Sequence, residues 1–114
     1  MSWLIAHLVG DFVLQNDWMA DGKKQSSWIC TAHVGAYMLP FLLLGLAWWQ
    51  LVLIGLQHWL QDRWNFVAWY MQITGKHAFA EPPMAPWSHV VMDNTFHLVW
   101  IGLVVWTGEY LLLV

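Results

Sequence analysis

The chain has 114 residues, of which 60% are hydrophobic and 10% are charged, and 11 of them are tryptophan. A small soluble domain must cover a large surface with polar groups, and four Lys/Arg with seven Asp/Glu are too few to do so. The composition therefore argues against a soluble monomer, a disordered chain and a nucleic-acid-binding protein. One cysteine excludes an internal disulfide framework. From the length and the apolar composition we expect a single integral-membrane helical domain over residues 1–114.

The first predicted element is an apolar helix at about residues 3–15. It is too short for an upright span, because about 20 helical residues are needed to cross the hydrocarbon. We expect either a short membrane helix sheltered by its neighbours or a re-entrant helix. No basic segment precedes it and no small-residue cleavage site follows, so we do not expect a signal peptide. Residues 16–25 are predicted to form a polar turn.

The second and third predicted helices come from one long stretch without charge. No Asp, Glu, Lys or Arg occurs between Lys24 and Asp62, and this stretch is too long for a single span of about 20 residues. We place the turn at residues 48–50, where two tryptophan rings suit the headgroup level. This gives membrane helices at about residues 27–47 and 51–72. The first of them contains Pro40, and neighbouring helices can accommodate its kink.

The last predicted helix spans about residues 88–112 and follows a loop at residues 75–87. Three prolines end this loop, and Ser88 is the predicted N-cap. The predicted fold class is therefore all-α. We expect a polytopic four-helix membrane bundle with three full transmembrane helices and a shorter N-terminal membrane helix.

The few basic residues predict the orientation of this bundle. Lys23 and Lys24 lie between the first two helices, and Lys76 lies between the last two. An up-and-down bundle places both loops on one side of the membrane. The positive-inside rule then predicts cytoplasmic loops and two termini on the opposite side.

Histidines and aspartates recur four residues apart on the predicted helices. This spacing puts each pair on one helical face, and a face with such groups costs several kcal/mol if it meets lipid. We therefore expect these faces to point into the bundle, where counting residues from the predicted interfaces puts the groups in overlapping layers. The residues concerned are His7, Asp11, His33, His58, Asp62, Asp93 and His97.

Several imidazoles and carboxylates in one place are typical of a divalent-metal site for Zn, Mn or Fe. All seven residues are candidate ligands, and Asp11, Asp62 and Asp93 are also candidate catalytic groups, as ligands or as a general base. With an open coordination position, the metal can turn a bound water into a nucleophile. One hypothesis is thus a membrane enzyme or metal-binding protein whose cytoplasm-facing site acts on a lipid or small hydrophobic substrate.

The same residues allow other interpretations. The His/Asp pairs can be interhelical hydrogen bonds that hold the bundle together. A single histidine can also be an axial ligand of a haem or chlorin. Small size and many tryptophans suit an accessory subunit of a larger membrane complex, such as a respiratory or photosynthetic one. The expected partners are the lipid bilayer and either other membrane subunits or further copies of the chain, and not nucleic acid.

A family resemblance rests on the run HLVGDFVLQNDWMA at residues 7–20, followed by Lys23 or Lys24. This run is similar to the opening signature of a family of small bacterial membrane proteins catalogued as domain of unknown function 3307. The later elements follow in the family's order: His33, then HWLQD at residues 58–62, then DNTFH at residues 93–97. Family members typically carry Lys where this chain has Asn65, and often Gln where it has Asn94.

The resemblance covers essentially the whole chain. It implies a multi-pass protein of the bacterial inner membrane, with periplasmic termini once the orientation above is applied. The family has no established biochemistry, so the resemblance implies the fold and the site positions but no reaction. The His-x-x-x-Asp pairs are also loosely similar to those of predicted membrane-bound metal-dependent hydrolases.

Overall fold

The computed structural model describes residues 2–113, with side chains described over residues 2–111, and this part of the chain contains helices and turns but no strand. The prediction of an all-α fold is confirmed. The six α-helices are α1 (Trp3–Leu8), α2 (Asp17–Gly22), α3 (Ser27–Met38), α4 (Trp48–Arg63), α5 (Phe66–Ile73) and α6 (Trp87–Leu113).

The first helix is built from two kinds of helical turn. Ser2 caps α1 by accepting a hydrogen bond from the Ile5 amide at 3.2 Å. The helix then continues directly into a π-helical turn at Val9–Val13, which buries Gly10 and Asp11. Single π-turns inside helices change which face a residue presents and occur often at functional sites. The helix predicted over residues 3–15 is thus confirmed as far as residue 13.

The polar segment that follows is not the turn that the sequence predicts. Residues 17–22 form α2, and Asn16 is its N-cap, accepting from the Met19 amide at 2.9 Å. A polar residue before a short helix satisfies one of the free amides of its first turn. The prediction of a turn over residues 16–25 is therefore wrong for most of its length.

The second predicted helix ends earlier than expected. The α-helix stops at Met38, and Pro40 opens a tighter 3₁₀ turn at Pro40–Leu44 because proline cannot donate the next helical hydrogen bond. Gly45 then ends the segment with a φ of 69°. The turn lies at residues 45–47 rather than 48–50, and Trp48 is already the first residue of α4.

The helix predicted over residues 51–72 is interrupted. It forms α4 and α5, with extended backbone at Trp64, and neither glycine nor proline marks the break. Lys24 Nζ lies 3.2 Å from the Asp62 carbonyl oxygen and 3.3 Å from the Trp64 carbonyl oxygen, to which it donates. A lysine remote in sequence therefore satisfies carbonyls that the end of a helix leaves free.

The last helix begins at Trp87 rather than at the predicted N-cap. Ser88 is buried, and its hydroxyl has no hydrogen-bond partner. By length and composition, Ser27–Leu44 and Trp87–Leu111 are each long and apolar enough to cross a membrane. Trp3–Val13 is a shorter apolar helix, and a third full span stays a prediction.

The packed interior combines an apolar end and a polar end. Helix α4 packs between α3 and α6, and α1 lies against the 3₁₀ turn and α6. The apolar cluster contains Ala6, Tyr37, Phe41, Ile54, Ile101 and Val104. About half of the buried residues that the structure describes are polar, and most of them lie on the predicted His/Asp faces. The fold thus brings these faces together inside the bundle.

Candidate metal centre

Asp62 lies at the middle of the polar cluster, in the last turn of α4, and is fully buried. Its Oδ2 atom is 3.0 Å from His33 Nε2 and 3.1 Å from His58 Nε2. Its Oδ1 atom is 3.1 Å from His97 Nε2. One carboxylate therefore contacts imidazoles of three different helices.

Asp11 approaches the same imidazoles from the π-turn. Its Oδ1 atom is 3.4 Å from His33 Nε2 and 3.6 Å from His58 Nε2. The residue is 4% exposed, yet this oxygen has no hydrogen-bond partner. A buried carboxylate oxygen without a hydrogen-bond donor costs several kcal/mol. Its position among other possible metal-ligand atoms is favourable for a cation.

The four residues Asp11, His33, His58 and Asp62 form what we call the primary set. Their nearest ligand atoms all lie within 4.8 Å of one another, and the two Nε2 atoms are 3.0 Å apart. A zinc ion bound at about 2.0–2.1 Å keeps neighbouring tetrahedral ligands roughly 3.3–3.4 Å apart. The separations of 3.0–3.6 Å between the imidazoles and the carboxylates match this edge length closely. The primary set therefore fits a divalent ion.

The ring of His58 is held between two other rings. It stacks on Tyr37 with centroids 3.6 Å apart and on His97 with centroids 4.0 Å apart. The Nδ1 atoms of His33 and His58 have no partner, so both rings meet the cluster through Nε2. The sequence analysis did not assign Tyr37 to the site. Its position one turn after His33 was the available signal.

His7, another predicted ligand, lies outside the primary set. The side-chain amide of Asn94 donates to the Val90 carbonyl, so Asn94 Oδ1 faces His7 Nε2 and accepts a hydrogen bond from it at 2.7 Å. The Tyr37 hydroxyl then donates to His7 Nδ1 at 2.8 Å. Both ring nitrogens are thus used in hydrogen bonds, through which His7 connects α1 to α3 and α6.

Two glutamines orient the remaining candidate ligands, Asp93 and His97. Because a carboxylate only accepts, Gln61 Nε2 donates to Asp93 Oδ1, at 2.8 Å. Gln61 Oε1 accepts from Gln57 Nε2 at 2.6 Å, which leaves Gln57 Oε1 to accept from His97 Nδ1 at 3.2 Å. Neither glutamine was among the predicted site residues, although they follow the same four-residue spacing as their neighbours His58 and Asp62.

Lys23 is a further residue that the sequence analysis did not assign to the site. Its Nζ atom is 2.9 Å from Asp62 Oδ2, and its side chain is 13% exposed. Burial alone would lower the pKa of Lys23, but the carboxylate of Asp62 outweighs it and raises the pKa above its usual range. Lys23 is thus a charged partner of the site as well as a residue of a polar loop.

We expect Lys23→Met to destabilise the metal-free protein by about 1–3 kcal/mol, because Asp62 loses its ammonium partner. Because the pKa of Lys23 is raised in the folded state, the charged lysine stabilises the wild type below a pH of about 10.4, and this stabilisation is lost as the pH rises through the raised pKa. The variant lacks this stabilisation. Zn²⁺ should stabilise the variant more than the wild type, since the ion replaces the missing positive charge. Thermal unfolding in detergent, with EDTA or with Zn²⁺, measures both effects.

The exposed loop residue Lys76 supplies the control for this experiment. The variant Lys76→Met should unfold like the wild type under both conditions. Equal stabilisation of the Lys23 variant and the wild type by Zn²⁺ would contradict the proximity of the ammonium to the ion.

Two cavities lie beside the cluster. A cavity of about 230 Å³ is lined by Asp11, Asp93, Lys23 and Lys24 among others. A second cavity of about 780 Å³ is mainly apolar and is lined by Trp64 among others. The described histidines do not line this larger cavity, so its walls offer no axial ligand for a haem or chlorin.

The fold and the cluster define a small all-helical protein with two candidate membrane spans and a buried His/Asp site that could hold a metal ion. The chain belongs to the family described as Protein of unknown function (DUF3307), which matches residues 1–112. The resemblance found in the sequence is thereby confirmed. No curated protein and no solved structure matches the chain.

Proposed function

We propose that this protein is an integral-membrane, metal-dependent hydrolase that holds Zn, Mn or Fe in the primary set. The observation that carries the proposal is the convergence of two imidazole nitrogens and two carboxylate oxygens within 4.8 Å of one another. These ligand types suit a divalent first-row ion. In a purely structural hydrogen-bond network, a buried oxygen such as Asp11 Oδ1 is expected to have a hydrogen-bond donor, and it has none.

Membrane residence is supported by the distribution of polar and apolar side chains. Charged and polar groups of the cluster are buried, whereas large apolar side chains cover the outside. Trp28, Trp48 and Trp87 are 72–76% exposed. Such a surface is favourable in a bilayer and costly in water. This is the basis for proposing a multi-pass protein of the bacterial inner membrane.

The orientation is proposed from the basic residues. Arg63 donates to the Lys24 carbonyl at 2.6 Å, so Lys23, Lys24 and Arg63 lie together at one end of the bundle. The positive-inside rule favours the cytoplasm for this end, and the termini are then periplasmic. The candidate site lies near the same end, which supports action on substrates at the cytoplasmic face.

The chemistry proposed for the site is hydrolysis. The ion would polarise a bound water and lower its pKa. Asp93 is only partly buried, with its side chain 23% exposed, and it lines the smaller cavity beside Asp11. It is therefore the proposed general base. Gln57 and Gln61 line the larger apolar cavity, and Gln61 also donates to Asp93. An apolar substrate chain in this cavity would therefore be separated from the cluster by a single side chain.

Metal analysis of detergent-purified protein tests the proposal. We expect a stoichiometric divalent metal in the wild type and at least about 100-fold weaker binding in His58→Ala, because even groups that only orient ligands are worth 10–100-fold. His77→Ala is the matched control, since His77 is exposed and its ring contacts Gln72 Oε1 at 3.1 Å, away from the cluster. A wild type without metal that copurifies tightly with other membrane subunits would favour the accessory-subunit interpretation instead.

A further inference from the structure

We propose that the cluster holds two divalent ions, with Asp11 and Asp62 bridging them. The first ion lies in the primary set, and the second is bound by Asp93 and His97 together with the two bridging carboxylates. This inference rests on the proposed function, since it places a second ion next to the first. It makes Asp93 and His97 ligands of the second ion, so that in a site with two ions Asp93 acts as a ligand and not as a free general base.

The sharing of ligands is visible in the geometry. Asp11 has oxygens within 4.8 Å of ligand atoms of both groups, His33 and His58 on one side and Asp93 and His97 on the other. The two oxygens of Asp62 are divided in the same way, Oδ2 towards the primary set and Oδ1 towards His97. Carboxylates placed like this bridge metal pairs in helical bundles, where the ions lie about 3.5–4 Å apart.

The hydrogen bonds of His97 provide an independent argument. The glutamine chain from Asp93 makes Gln57 Oε1 the acceptor for His97 Nδ1, so this nitrogen carries a proton. In the neutral ring, Nε2 then presents a lone pair to Asp62 Oδ1 at 3.1 Å and to Asp93 Oδ2 at 3.5 Å. Gln61 Nε2 also lies 3.3 Å from this nitrogen. A metal ion there would take the place of a proton on Nε2 and would be coordinated by His97 and the two carboxylates.

The buried oxygen of Asp11 supports the same conclusion. The residue is 4% exposed and lies between the two groups of ligands, yet Oδ1 has no donor. Fixed donors on protein groups would satisfy a carboxylate that had only a structural role. A bridging carboxylate needs none, because its oxygens are satisfied by the ions.

The net charge of the site predicts that the two ions bind with different affinities. The carboxylates of Asp11, Asp62 and Asp93 and the ammonium of Lys23 leave the site with an excess of negative charge that one divalent ion neutralises. The second ion adds positive charge in a poorly solvated place and therefore binds more weakly. The anion that would balance it, a hydroxide or a phosphate group, can enter through the smaller cavity beside Lys23 and Lys24.

Titration of the metal-free protein in detergent with Mn²⁺ tests this inference, by equilibrium dialysis and electron paramagnetic resonance. We expect two Mn²⁺ per chain, the second bound more weakly, and a spectrum with exchange coupling between the ions. Asp93→Ala should bind one Mn²⁺ and give an uncoupled spectrum. Asp21→Ala, which removes an exposed aspartate of α2, should behave like the wild type.

The outcomes separate this inference from the proposed function. A wild type that saturates at one uncoupled ion overturns the second site and leaves the first. A wild type that binds none overturns both. Asp93→Asn keeps the size of the side chain and an acceptor for Gln61, so it replaces Asp93→Ala if that variant does not fold. Two coupled ions in Asp93→Asn would overturn the assignment of Asp93 as a ligand.

Discussion

The substitution Asp62→Ala should abolish binding of divalent ions and lower the free energy of unfolding by about 3–5 kcal/mol. Asp62 is fully buried, and Lys23, His33, His58 and His97 all lie 2.9–3.1 Å from its oxygens. Removal of the carboxylate leaves the ammonium of Lys23, whose side chain is only 13% exposed, without its partner, which is the costly way of breaking an ion pair. It also removes a ligand of the primary ion.

Two further variants make this result specific. Asp62→Asn retains the shape of the side chain but loses the charge, so it should keep more stability than Asp62→Ala while binding Zn²⁺ at least about 100-fold more weakly than the wild type. Asp21→Ala should change neither property. Chemical unfolding in detergent and competition with a chromogenic chelator measure the two quantities. An Asp62→Ala protein that keeps the wild-type affinity for Zn²⁺ would refute the position of the ion.

The meeting of the His/Asp faces could be predicted from sequence because two constraints act together. Four-residue spacing fixes a common face for His58 and Asp62 and for Asp93 and His97, whatever the tertiary structure. The cost of exposing such a face to lipid then leaves the bundle interior as its place. These constraints say that the groups converge, and the structure confirms it for the primary set.

The individual hydrogen bonds could not be predicted in this way. His7 has the same spacing to Asp11 as His58 has to Asp62, yet its nitrogens are used by Tyr37 and Asn94 on other helices. Lys23 reaches Asp62 because α2 forms where the composition predicts a turn. Partners that are remote in sequence decide these roles, and helical spacing contains no information about them.

The break between α4 and α5 was hidden for a related reason. Glycine and proline are the local signals for the end of a helix, and the sequence has neither near Trp64. The free carbonyls are satisfied by Lys24 from another part of the chain. A tertiary contact thus ends this helix at Arg63, the residue after Asp62, at the polar end of the bundle where the site is formed.

The close approach of α1 to α3 leads to the second prediction with a large effect, for Gly10→Ala. A Cβ atom at Gly10 would lie 2.7 Å from the Tyr37 carbonyl oxygen and 2.7 Å from a ring carbon of Tyr37. The backbone of a packed helix cannot yield as the end of a flexible side chain can, so the π-turn must move away from α3. We expect a loss of at least about 1–3 kcal/mol in the free energy of unfolding.

The same displacement should weaken metal binding, because Asp11 is the next residue and moves with the turn. Metal–ligand distances tolerate only about 0.2 Å, so Asp11 would cease to be a ligand and the affinity for Zn²⁺ should fall at least about 100-fold. Tyr37 would also lose its contact with His7. Unfolding and chelator competition measure the effects, and a Gly10→Ala protein with unchanged affinity would show that the approach does not position Asp11.

Gly35→Ala separates this packing effect from the general effect of adding a methyl group to a helix. Gly35 lies in α3, two residues before Tyr37, and a Cβ there meets no atom within 4 Å. Alanine should therefore leave metal binding unchanged and stabilise the helix by up to about 1 kcal/mol, the usual difference from glycine. If Gly10→Ala lowers the free energy of unfolding and Gly35→Ala raises it, the effect at Gly10 comes from its contact with Tyr37. That contact would then be what positions Asp11 at the metal site.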